Sequence, residues 1–293
     1  MFFLKKSQNK IFEGLKIAVV GAAPTALFLS ALFKEKGAKV INFINGCKLK
    51  ELKKVKAFSF KNVSFQNRFV EFDFGTDETS FDFCFLCSAP DDIKSDILML
   101  SGGVFEKCKI VNLTPELNKV FLQKVKKIKT TECLFDCLVN RDGANIEVLT
   151  RTPSVVILEN SDKAKDIEDL FNNCGIVCQY SKNSKNDFEQ AKASFIFGNL
   201  CLLIYGDKLF EELCSDVQRK EIEEAIKEYC ESDKKESLNR SSVLSGIYTF
   251  SDRYRSGFDS KDGFAVMAEL LKKADYFNTP NLYKLLAKAA KKY

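Results

Sequence analysis

"KIAVVGAAPTALFLSALFKEKGAKVINFIN", residues 16–45, reads as an apolar strand, a tight turn, a helix and a second strand. A strand that returns through a helix to a second strand builds a parallel βαβ unit. In a dinucleotide-binding turn, the first glycine makes the sharp bend and the second lets a pyrophosphate approach the backbone. The third lets the helix pack on the strand. Those positions are Gly21, Ala23 and Ala26 here. Alanine at the third costs little. Ala23 is harder to accommodate, because its Cβ projects toward a phosphate oxygen and Pro24 removes an N–H donor near the helix start. Thr25 offsets part of this, since its hydroxyl can cap the helix or donate to phosphate. Gly21, Ala22, Ala23, Pro24, Thr25 and Ala26 form the candidate pyrophosphate seat, and a unit that keeps the architecture without the cofactor is the other reading.

The end of the second strand bears on which cofactor would bind. An NAD site places an acid there for the ribose 2′-hydroxyl, whereas an NADP site wants a basic or neutral polar group. "VINFINGCKLK" offers Asn45, Lys48 and Lys50 and no acid. NADP(H) is therefore the expected cofactor, with Asn45 and Lys48 as candidates on the adenosine side.

Composition narrows the chemistry. The 293 residues include no histidine, which excludes Ser-His-Asp and Cys-His nucleophile systems, histidine acids and His-ligated metals. Proton transfer near neutral pH falls to Lys, Asp, Glu, Tyr or Cys. The net charge of +5 is spread along the chain, so no nucleic-acid footprint stands out. No apolar run reaches the length of a membrane span, and "MFFLKKSQNKIFEG" carries its charges in the wrong order for a secretory signal. A cytoplasmic location is expected. The 11 cysteines sit mostly in apolar stretches such as "FDFCFLCSA", as buried free thiols do. Cys84 and Cys87 form a CxxC, but on a strand they point to opposite faces, and no metal site is expected.

Along the chain, "KIAVV", "KVINFI", "KAFSF", "FDFCFLC", "KIVNLT", "SVVILE" and "GIVCQYS" alternate with helical stretches, the pattern of a mostly parallel sheet covered by helices. Beyond "SKNSKND", residues 181–187, the sequence turns helical, with "FEQAKASFIFGNLCLLIYG", "VQRKEIEEAIKEYCE" and "FAVMAELLKKA". The expected division is a Rossmann-like dinucleotide-binding domain over residues 1–184 and an all-helical domain over residues 185–293. The phenylalanine-rich "FQNRFVEFDF" reads as core and strand face.

Residues 241–289, with a paired serine, an amphipathic helix and the ending "NTPNLYKLL" (278–286), resemble the closing segment of ketopantoate reductases. "DLFNNCGIVCQYSKNSKNDFEQAKASFIFGNLCLLIYG" resembles that family's domain junction and first long helix, and the similarity in order and spacing runs from Lys16 to Leu286. The resemblance implies a helical domain like the C-terminal domain of 6-phosphogluconate dehydrogenase. It also implies NADPH-dependent reduction of 2-dehydropantoate, or a related small 2-oxo acid, to the 2-hydroxy acid, a step of pantothenate biosynthesis. The implied machinery is a helix-borne lysine acting as general acid, with Asn, Ser and Glu side chains binding substrate.

Carried onto this sequence, the resemblance gives a mixed set. With Gly206 as anchor, Asn199 takes the place of the family's second asparagine. The lysine is then due at Ala191, and the nearest is Lys192. Lys192 and Asn199, seven residues apart, lie about 20° apart around a helix, against about 80° for a separation of eight. Lys192 is thus the candidate acid. The family's intermediate asparagine falls on Phe195 and its glutamate near Gly257, with Asp259 the closest acid; Ser241 and Ser242 are retained. On the cofactor side, the family's lysine after the fourth strand falls near Ala89, beside Ser88, and its asparagine after the fifth falls on Thr114. Helix capping by Ser241 and Ser242, after "SLNR", is an equally open reading. Three functions stand. One is an NADP-dependent reductase of a small 2-oxo acid, compatible with a homodimer. The others are a non-catalytic descendant that binds a nucleotide or small anion, and an assembly protein. Neither nucleic acid nor membrane is an expected partner.

Overall fold

The computed structural model describes residues 11–44, 46–65, 68–75, 80–88, 92–113, 129–158, 162–180, 184–232, 238–253 and 279–291. Two compact units divide the chain. The first comprises residues 1–133, 141–146 and 165–176, and the second residues 134–140, 147–164 and 177–293.

In the first unit, β1 (Lys16–Val20) is an interior strand of a mostly parallel sheet. It pairs on one side with β2 (Lys39–Phe43) and on the other with β6 (Phe83–Leu86). Beyond β2 lies β5 (Asp73–Phe74), and beyond β6 lie β7 (Lys109–Asn112) and β8 (Thr130–Asp136), all parallel. β6 is buried at every position, as expected of a parallel strand covered on both faces. Because the chain leaves β1 toward β2 and returns to β6 on its other side, the strand order reverses at β1. In such sheets the crevice at that point, beyond the strands' carboxyl ends, receives the ligand.

Helix α1 (Pro24–Glu35) is buried from Ala26 through Phe33, which explains its lack of a polar face. α2 (Gly46–Leu52) follows β2, α3 (Ile93–Met99) follows β6, and α4 (Asp162–Asn173) adds Phe171 to the core. The rings of Phe33, Phe85 and Phe171 meet at centroid distances of 4.9, 5.7 and 6.3 Å. Aromatic clusters of this kind carry much of a core's burial energy.

The seven strands expected from the sequence are all present, with one correction. "KAFSF" supplies β3 (Phe58–Lys61), which belongs to a separate four-stranded sheet in the order β4-β3-β10-β9 and pairs antiparallel with β4 (Phe69–Val70). β9 (Val139–Asp142) and β10 (Asn145–Val148) flank a turn in which Gly143 takes φ +56°. The phenylalanines of "FQNRFVEFDF" pack as core, Phe65 against Phe60 and Phe72 against Phe58.

In the second unit, β11 (Ser154–Ile157) and β12 (Val177–Tyr180) pair in parallel. Beyond Tyr180 the described elements are helices: α5 (Ser184–Tyr205), α6 (Leu209–Cys214), α7 (Asp216–Ser232), α8 (Arg240–Arg253) and α9 (Pro280–Ala290). Their shared core includes Phe197, Leu200, Ile222, Tyr229, Ile247 and Leu285. α5 and α8 approach closely where a Cβ built on Gly246 would stand 2.4 Å from Ser194 Oγ, so a residue without a side chain is needed there. The expected run at 264–274 lies outside the described residues.

Candidate functional site

The turn after β1 is built by Gly21, which has φ +122° and donates its N–H to the Phe43 carbonyl at 2.9 Å. A Cβ at Gly21 would stand 2.3 Å from the Cys87 carbonyl oxygen and 3.0 Å from Ser88 N. Both its φ and that closeness require glycine. Gly21 thus brings the ends of β1, β2 and β6 to one point.

Ala23 caps α1 in an extended conformation, φ −60° and ψ 147°, which alanine adopts without strain. Pro24 follows at the first helical position, where a missing N–H is tolerated. No side chain, Thr25 included, caps the first turn. Ala22, Ala23, Pro24 and Thr25 are half-buried, and Ala26 is fully buried. An uncapped helix start offers its first N–H groups and positive dipole end to an anion. These residues therefore fit a nucleotide phosphate, and Ala26 meets the packing demand at the third glycine position.

Ser88 lies just past β6, 3% exposed, and Asp96 on α3 is 1% exposed. Neither the Ser88 hydroxyl nor the Asp96 carboxylate makes a hydrogen bond of good geometry, although the hydroxyl stands near enough to favour the charged carboxylate. Burial pushes the Asp96 carboxyl up to about 6, opposed by the neighbouring Ser88 hydroxyl and Lys48 and reinforced by Asp92. Burial and the Asp96 charge also push the Cys87 thiol well above its ordinary value. Lys48 on α2 donates to Asp92 Oδ2 at 2.5 Å, a pair that is partly buried. Its charge is thus already matched within the first unit. Asp92 and Asp96 escaped the sequence reading, although acids four residues apart on a helix after a buried strand were a usable signal.

In the second unit, Lys192 is 3% exposed, with Nζ 3.8 Å from the Glu189 carboxylate one turn earlier. This is no solvated surface charge. Asn199, two turns further on the same face, is 2% exposed and donates from Nδ2 to the Phe195 carbonyl at 2.8 Å. Phe195 packs its ring against the helical core. The cap of α8 is Asn239, whose Oδ1 accepts the Ser242 N–H at 3.2 Å. Gln190 on α5 ties down the Asn239 backbone, accepting its N–H at 3.0 Å. Ser241 and Ser242 are exposed and do not cap that helix. Asn45, Ala89, Thr114, Gly257 and Asp259 lie outside the described residues. The Gly21 turn belongs to the first unit, and Lys192 and Asn199 to the second.

Among the described residues no group of acids and cysteines is placed to hold a metal, and no helix is long and apolar enough to cross a membrane. Cys84 and Cys87 are free, buried thiols.

No protein-family profile matches the sequence, and no curated protein matches it. By structure, the chain is similar to D-mandelate dehydrogenase with NADH, at 12% identity, over 95% of this chain and 99% of that one, with a TM-score of 0.73. The same enzyme in a ternary structure with NADH and anilino(oxo)acetate gives 12% identity, coverages of 95% and 98%, and a TM-score of 0.70. The 2-dehydropantoate 2-reductase of Geobacter metallireducens gives 13% identity, 95% and 100%, and a TM-score of 0.72. The fold is that of the ketopantoate reductases and D-mandelate dehydrogenase.

Proposed function

We propose that the chain is a reductase that converts a small 2-oxo acid to the 2-hydroxy acid with a reduced nicotinamide nucleotide. Residues 1–184 would bind the nucleotide, and residues 185–293 would supply the substrate side. The observation that carries this reading is the burial of Lys192. An ammonium removed from water is costly unless it serves a partner or a reaction, and this one shares its helix face with the buried amide of Asn199. In a chain without histidine, lysine is a fitting general acid.

The roles follow from the residues. Gly21, Ala22, Ala23, Pro24, Thr25 and Ala26 receive the phosphates at the uncapped start of α1. Ser88, with Asn45, Lys48 and Thr114, completes the nucleotide side. A reduced nicotinamide nucleotide held by these residues would supply the hydride for the reduction. Lys192 Nζ holds the proton that the keto oxygen takes up, and Glu189, 3.8 Å away, steadies the charged form. Asn199, Ser241, Ser242 and Asp259 orient the acid.

2-Dehydropantoate, as in pantothenate biosynthesis, is the first substrate to try. D-mandelate dehydrogenase, of the same fold and in complex with anilino(oxo)acetate, supports the wider 2-oxo acid class. On sequence NADP(H) is the expected form, through Lys48 and the missing acid after β2. A cytoplasmic setting belongs to this reading, since the cysteines sit mostly in apolar stretches of the sequence, as buried thiols do. The proposal extends to a homodimer, for which exposed Val217 and Tyr283 on the packed helices α7 and α9 offer apolar surface.

A nucleotide-binding protein without turnover is the second reading, favoured by Phe195, an apolar ring at the place of a substrate-binding asparagine. Thermal-shift titration with NADPH and NADH, followed by turnover with a panel of 2-oxo acids, separates the readings. Saturation to 100 times the Kd raises stability by about 2.7 kcal/mol, a readily measured shift. Absence of any shift at millimolar nucleotide removes both readings. Binding without turnover leaves the second.

A further inference from the structure

Three charged groups gather at the carboxyl end of the parallel sheet: Lys48 on α2, Asp92 at the start of α3, and Asp96 within it. Lys48 donates to Asp92 at 2.5 Å. Asp96 is buried, its carboxylate makes no hydrogen bond of good geometry, and it interacts electrostatically with both Lys48 and Asp92. One ammonium against two carboxylates leaves the ionised cluster with a net negative charge. Lys50, two residues beyond Lys48, points about 200° away around the helix.

The segment after β2 is where the adenosine ribose of a bound dinucleotide lies, and a cation there accommodates a 2′-phosphate. That phosphate brings a charge of about −1.5 to −2. To meet it, Lys48 would have to leave Asp92 and expose two carboxylates to a third anion, at a partly buried site where screening is weak. A 2′-hydroxyl carries no charge and meets no such opposition.

We infer that Asp92 and Asp96, by occupying Lys48, set the nucleotide preference toward NAD(H), reversing what the lysines of "NGCKLK" suggest in the bare sequence. The inference rests on the nicotinamide-nucleotide reading above. Burial pushes Asp96 up to about 6, so its negative charge is fully present at pH 8.

The test is a fluorescence titration of the full chain with NADH and with NADPH at pH 8. The wild type is expected to bind NADH about tenfold or more tightly than NADPH, and Asp92→Asn to narrow that ratio by about tenfold. NADPH binding as tightly as NADH, or a ratio unchanged in a folded Asp92→Asn protein, overturns the inference and leaves the nicotinamide reading intact. Binding of neither nucleotide overturns both. The wild-type ratio decides the matter if the variant fails to fold.

Discussion

Replacing Asp96 by asparagine should make the protein more stable above neutral pH and leave it nearly unchanged in acid. Asp96 is 1% exposed, its carboxylate makes no hydrogen bond of good geometry, and burial raises its carboxyl from an ordinary 3.8 to about 6. The folded protein therefore holds this proton at pH values where the unfolded chain has released it. Its contribution is fully present below the unfolded value and is lost as pH rises through the folded one. A difference of roughly two pH units, at 1.36 kcal/mol each, corresponds to about 3 kcal/mol; allowing for solvent screening brings it to about 2 kcal/mol. Asparagine has the same shape and no charge, so it escapes the loss. Urea unfolding followed by far-UV circular dichroism between pH 4 and 8 reads the difference. Asp96→Asn should exceed the wild type by about 2 kcal/mol at pH 8 and match it within about 0.5 kcal/mol near pH 4. A gap of the same size at both ends, or a less stable variant at pH 8, refutes the argument.

Gly21→Ala places a Cβ 2.3 Å from the Cys87 carbonyl oxygen at a φ of +122°, and should cost about 3 kcal/mol or more in a thermal melt. Lys192→Met keeps the length of the side chain and removes its charge; stability should hold or rise, while turnover of a 2-oxo acid falls about 10²- to 10⁴-fold. Loss of the fold in that variant would make Lys192 structural. Asn239→Ala removes the cap of α8 and should lower stability by about 1 kcal/mol in chemical unfolding, whereas Ser241→Ala and Ser242→Ala should leave it within about 0.5 kcal/mol.

The parallel core was legible because its strands are continuous apolar runs punctuated by turns, which "KIAVVGAAP" and "FDFCFLCSAP" show plainly. β4 and β5 span only two residues each, too few for any periodicity to register. β9 and β10 did carry a signal, the "DGAN" turn and the polar–apolar alternation of Asn145 to Val148, but β9 is short and Arg141 stands where an apolar residue is due. Lys192 and Asn199 were found through a resemblance and a helical angle. Their burial was not readable, since it depends on how α5 packs, and a 22-residue helix without a clear polar face gives no hint of it. The Lys48–Asp92 pair was invisible for a different reason: it joins residues 44 positions apart, across the sheet's reversal at β1.

The proposed roles all depend on hydride transfer from a reduced nicotinamide nucleotide to the keto carbon of a 2-oxo acid. Incubating the protein with nucleotide deuterated at the transferred position and a panel of 2-oxo acids, then weighing the products by mass spectrometry, tests it directly. The expected product is a 2-hydroxy acid carrying deuterium at C2, formed by the wild type and about 10²- to 10⁴-fold more slowly by Lys192→Met. Nucleotide that remains fully reduced with every acid, while ketopantoate is recovered unchanged, contradicts it.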